Sequence, residues 1–95
     1  MEIRQTKQYA KWLDGLKDRQ GRMRIVRRVK KAARGEYGDV RPVGEGVSEL
    51  RFHFGPGYRV YFTERRGVLF ILLAGGDKGT QREDIELAKE LARNI

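Results

Sequence analysis

Apolar side chains recur with a helical period twice before they recur with a strand period. From Lys7 onward the apolar positions are Tyr9, Trp12, Leu13 and Leu16. That i, i+3, i+4, i+7 stripe predicts a helix. Asp18 reads as the N-cap of a second helix, with Ile25, Val26, Val29, Ala32 and Ala33 on its apolar side. Its other side carries Arg24, Arg27, Arg28, Lys30, Lys31 and Arg34, and Gly35 is placed to end it in a left-handed turn. The preceding "MEIRQT" predicts a short first strand, and the glycine-rich "GEYGDVRPVGEG" over 35–46 reads as loop.

The period then changes to two. Over 49–54, Leu50, Phe52 and Phe54 alternate with Glu49, Arg51 and His53; over 58–64, Tyr58, Val60 and Phe62 alternate with Arg59, Tyr61 and Thr63. The "GPG" between these runs suits a tight turn, and "ERRG" over 64–67 a second. "VLFILLA" over 68–74 is apolar on both faces and predicts a central strand covered on both sides. Thr80-Gln81-Arg82-Glu83 has the form of a capping box, opening a last helix with Ile85, Ala88, Leu91 and Ala92 inward. The expectation is one α+β domain over 1–95, ordered β–α–α–β–β–β–α, with a mostly antiparallel sheet and the helices on its one apolar face. The opposite, polar face would expose Glu49, Arg51, His53, Arg59, Tyr61 and Thr63 together.

Charge sharpens this picture. The 95 residues carry a net charge of +8 and no cysteine, which excludes disulfides and thiolate metal sites. Residues 19–34 hold eight Lys/Arg and no acid, leaving 13 basic and 13 acidic residues elsewhere (21 less 8, against 13). One segment therefore supplies the whole excess, and such a field attracts nucleic acid or an acidic partner. The start of the chain lacks the apolar stretch of a secretory signal, and the longest apolar run, 68–74, is too short to span a bilayer. A cytoplasmic protein with no membrane partner is expected.

Facing residues on paired strands have Cβ atoms roughly 5 Å apart, so Arg51 and His53 should lie beside Arg59 and Tyr61, with Lys78 at the rim. RNA cleavage by its own 2′-hydroxyl needs a base for the 2′ proton, cations for the phosphate and an acid for the leaving oxygen. Arginine matches phosphate with its fork, and histidine serves as base or acid near neutral pH. No metal and no cofactor is called for. A plainer reading pairs Arg51 and Arg59 with Glu49 and Glu64 across the sheet. "GGDKGT" lacks the spacing of a phosphate loop.

"ELRFHFGPGYRVYF" followed by "LFILLAGGDKGTQREDIELAKEL" resembles the RelE/ParE toxin superfamily, and most of all its phage-derived Gp49-like or HigB-like addiction-module killer proteins. The resemblance runs from "WLDGLKD" to the last helix. It implies the toxin of a toxin–antitoxin pair, with a cognate antitoxin as partner, cutting mRNA on the ribosome without a metal. It implies catalytic roles for Arg59, at the arginine following Gly-Tyr, and for Lys78, at an arginine position after the last strand. Arg51 and His53 lie on the strand that carries the family's lysines. The family pattern's tyrosine in the last helix has no counterpart: its position falls near Asp84, so Tyr61 or His53 has to fill the role. The basic residues Arg24, Arg27, Arg28, Lys30, Lys31 and Arg34 would dock on ribosomal RNA. The same fold also serves gyrase-poisoning, non-enzymatic toxins, and a third alternative is a basic nucleic-acid-binding module without toxicity.

Overall fold

The computed structural model describes all residues, 1–95. The chain runs β1 (Glu2–Gln5), α1 (Lys7–Asp14), α2 (Arg19–Ala32), β2 (Val40–Gly44), β3 (Val47–Arg51), β4 (Arg59–Arg65), β5 (Leu69–Gly76), a single 3₁₀ turn (Lys78–Thr80) and α3 (Gln81–Arg93). The five strands form one sheet in the order β1-β5-β4-β3-β2. Only β1 and β5 pair in parallel; every other pair is antiparallel. The expected α+β domain with a mostly antiparallel sheet is what the chain forms.

The local signals explain most boundaries. Thr6 and Asp18 cap α1 and α2 by accepting from the backbone N–H of Tyr9 and Gly21. Arg66 and Gly67 both take positive φ, 57° and 68°, the left-handed pair at the centre of the turn that Val68 N–H closes on the Arg65 carbonyl. The capping box sits three residues earlier than expected. Asp77 accepts from Gly79 N–H, and the Thr80 hydroxyl serves the Asp77 N–H; Thr80 makes no side-chain cap for α3.

Two further expectations are corrected. The 35–46 segment is not all loop: residues 40–44 of it form β2, an edge strand on β3. Proline is tolerated at a sheet edge, and Val40 and Val43 pack against opposite core clusters. The helices are also not on one face. Phe70 and Leu72 of β5 join Leu50, Phe52, Val60 and Phe62 under α1 and α2, packed with Tyr9, Ile25 and Val29. Ile71 and Leu73, pointing the other way, join Val47 and Tyr61 beneath Ala88 and Ala92 of α3. A strand apolar on both faces leaves unburied apolar area unless both are covered, and α3 supplies the second cover. The face expected to be polar and open is therefore partly an interior. Close packing is enforced at Gly75, where an added Cβ would lie 2.1 Å from the Trp12 ring.

Candidate active site

The Arg59 residue is 3% exposed, and Glu49 and Tyr61 are each 0% exposed. Glu49 sits opposite Tyr61, and Arg51 opposite Arg59, on the paired strands β3 and β4. Like charges directly opposite repel, and the Glu49 carboxylate relieves this pair. Its Oε1 lies 4.0 Å from Nε of both Arg51 and Arg59 and 3.8 Å from Nη2 of Arg41 on β2. Gln81, in the first turn of α3, donates to its Oε2 at 2.8 Å. Three guanidiniums thus surround one sunken carboxylate. The plainer reading of the sequence, arginines balancing Glu49, is what the chain does here, in an interior rather than on a surface.

Within this cluster Arg59 has a second task. Its Nη1 donates to the carbonyls of Phe52, Gly57 and Tyr58 at 3.4, 2.9 and 3.1 Å, pinning the 52–58 hairpin loop. The Tyr61 hydroxyl forms no hydrogen bond. Burial first, then the Glu49 charge, pushes its pKa far up, so it holds its proton throughout the working pH range. Lys78 is exposed and meets the cluster across Gly57. A Cβ on Gly57, already at φ 75°, would lie 3.5 Å from both Arg59 Nη1 and Lys78 Cβ. Asp84, near the expected tyrosine position, accepts from the Thr80 hydroxyl at 2.5 Å; burial is the main cause raising its pKa.

His53 is not part of this cluster. Its side chain is 68% exposed and sits past the end of β3, where the strand gives way to the loop. Its Nε2–H donates to Asp39 Oδ2 at 2.5 Å. Because a carboxylate only accepts, the proton on that edge belongs to Nε2, and Nδ1 is the free nitrogen. Arg51 Nε stands 4.0 Å from the same Asp39 oxygen. The hydrogen bond from His53 is the leading cause that lowers the Asp39 pKa, with Arg51 and Arg28 adding to it. Arg51 therefore bridges two carboxylates, buried Glu49 and exposed Asp39.

Asp39 is the residue that sequence reading missed. Its placement comes from Arg28, whose guanidinium donates to the carbonyls of Tyr37 and Asp39, the latter at 2.6 Å, and to that of Arg51. The Asp39 carbonyl also accepts from Arg51 N–H. One cation of α2 thereby fixes the strand edge that carries the His53–Asp39 pair. Arg28 is spent on this clamp and is not a free contact for nucleic acid; burial lowers its pKa.

The other basic residues of α2 differ. Arg27, Lys30 and Lys31 are exposed and enter no ion pair, whereas Arg34 pairs with Glu36 at 3.4 Å. Arg24 lies over Phe54, with its guanidinium carbon 3.7 Å from the ring centroid. The largest cavity, about 610 Å³, lies elsewhere, between β1, the β4–β5 hairpin and the C-terminus, and holds none of these groups. No three His, Asp or Glu side chains converge in a metal-binding arrangement. No helix is long and apolar enough to cross a membrane.

The family model for phage-derived protein Gp49-like (DUF891) matches residues 11–93. An uncharacterized protein of Haemophilus influenzae (strain ATCC 51907 / DSM 11121 / KW20 / Rd) is 43% identical over 95 residues, covering 100% of this chain and 96% of that protein.

Proposed function

Because the chain belongs to the phage-derived Gp49-like family, a family that suggests the toxin of a toxin–antitoxin pair, we propose that it is such a toxin and acts as an endoribonuclease on ribosome-bound mRNA. The supporting observation is the exposed His53–Asp39 pair with Arg51 on the same carboxylate. In this reading His53 Nδ1 takes the 2′ proton while Asp39 holds the ring by Nε2. The 2′-oxygen then attacks the phosphate, whose charge Arg51 and Lys78 stabilise, and the departing 5′-oxygen takes a proton from water. No step needs a metal. Arg59 acts from behind, by its charge and by holding the loop, and Tyr61 by filling space. Arg27, Lys30 and Lys31 supply the field that draws in ribosomal RNA. The partner in the cell is a cognate antitoxin acidic enough to cover this surface, and the site of action is cytoplasmic.

The test is expression of the chain without its antitoxin, with mRNA 5′ ends mapped within minutes. Growth arrest with new cuts in translated messages is expected. Removal of a general base costs about 10²–10⁴-fold, so His53→Ala should lose the cuts while the folded protein accumulates. Undiminished cutting by His53→Ala overturns the assignment.

The burial of Arg59 and Tyr61 favours one other reading, a non-enzymatic toxin that binds gyrase. It calls for arrest with DNA damage and intact mRNA in the same experiment.

A further inference from the structure

The hairpin loop after β3 packs along α2 through alternating cations and rings. Arg24 covers Phe54 at 3.7 Å and Arg28 covers Phe52 at 4.7 Å, while the two rings meet edge to face at 5.9 Å. Farther along, Tyr58 OH donates to Asp18 Oδ2 at 3.2 Å, at the start of α2. The pieces are not equivalent. Phe52 is buried and Arg28 is locked by its carbonyls, whereas Arg24 is exposed and Phe54 half-buried. Arg24, Arg28, Phe52, His53 and Phe54 together line an open groove of about 300 Å³ with no acid in its walls.

A guanidinium seated over a ring at this distance gives one side to its partner, and the exposure of Arg24 leaves another to solvent. That outer face is cationic, rigid and flat, the surface on which an unstacked base rests. A groove of this size is far smaller than a duplex, and the exposed His53 is part of its wall. Resting on the nuclease reading above, the geometry points to a base-stacking pocket: Arg24, backed by Phe54, receives one unpaired RNA base and so sets which phosphate lies over His53. Its ligand is single-stranded RNA. Arg24 thereby differs from Arg27, Lys30 and Lys31, which meet phosphates without regard to the base.

The test is an NMR titration of the whole protein with the single-stranded tetranucleotide ApApApA, and with an abasic tetranucleotide carrying the same phosphates. The Arg24 Nε–H and Phe54 ring resonances are expected to take ring-current shifts with ApApApA and not with the abasic chain. Arg24→Lys keeps the charge and loses the plane; it should bind ApApApA about tenfold more weakly, within the worth of one base stack, and bind the abasic chain as the native protein does. Retained amide shifts and thermal midpoint confirm that Arg24→Lys is folded. Equal affinity for both chains, or shifts confined to Arg27, Lys30 and Lys31, overturns the pocket. The titration needs no ribosome, so the two readings fail separately. Stacking without mRNA cuts in cells leaves the pocket and removes the nuclease; cuts without stacking do the reverse.

Discussion

Two carboxylates in this molecule each stand beside Arg51 at 4.0 Å, and they live in different solvents. Glu49 is sealed beneath α3, ringed by three arginines and held by Gln81. Asp39 is at the surface, holding a histidine whose other nitrogen is free. Residue type does not separate them, since both are acids among arginines on neighbouring strands. Access separates them. Buried charge is expensive and survives only where partners compensate it, so the Glu49 cluster is committed to holding β2, β3, β4 and α3 together. The Asp39 pair has no such commitment and leaves the His53 ring largely open to solvent.

The widest gap between the two regions should appear in stability. Glu49→Ala leaves the buried Arg59 guanidinium uncompensated and should cost about 3–5 kcal/mol by chemical denaturation. His53→Ala, at an exposed site, should stay within about 0.5 kcal/mol of the native protein. Equal costs would erase the distinction. Next comes the link between the regions. Arg28→Met strips the donors from three carbonyls and should cost about 1–3 kcal/mol; the His53 ring signals should broaden in NMR as Asp39 loses its seat. If those signals keep their native positions and widths, Arg28 does not place the pair.

A smaller effect probes Tyr61. Its hydroxyl is buried without a hydrogen bond, so Tyr61→Phe should change stability by less than about 1 kcal/mol and leave mRNA cutting intact. Loss of cutting would return Tyr61 to the chemistry. The smallest effect is on acid stability. The Asp39 pKa is lowered in the folded chain, so its contribution is present above the ordinary carboxylate value near 3.9 and is lost as pH falls through the lower folded value. Denaturation midpoints from pH 5 down to 2.5 should therefore fall less steeply for Asp39→Asn than for the native chain. The exposure of Asp39 makes this shift slight, and parallel curves would argue that the pair is loose in solution.

Periodicity was enough to place three helices and four of the five strands. The fifth, β2, escaped because Pro42 and Gly44 interrupt a five-residue strand and mimic a loop. Missing β2 meant missing Asp39, whose approach to His53 depends on how the segment entering β2 lies along β3. The run over 68–74 already demanded two covers, which contradicts helices on a single face; following that signal would have buried Arg59 and Tyr61 beforehand. Arg51 and His53 stood out as candidates, but the separation of His53 from Arg59 and Tyr61 was not legible. That division comes from the seating of α3, a tertiary choice without a local signature. The role of Arg28 was equally hidden, since the helical period marks only its outward face, whereas its three partners are backbone carbonyls that no side-chain pattern records.

The carbonyl clamp also bears on timing during synthesis. Arg28 and the Arg51 carbonyl it binds are 23 residues apart, and Glu49 waits for Gln81, 32 residues later in the chain. A nascent chain ending before β3 carries Arg28 with the Tyr37 and Asp39 carbonyls, but has neither the Arg51 carbonyl nor His53. One ending before α3 carries the arginines around Glu49 without its roof. The edge that pairs His53 with Asp39 thus exists only once β3 has followed α2, and a product truncated before that point, although rich in the same cations, lacks the arrangement.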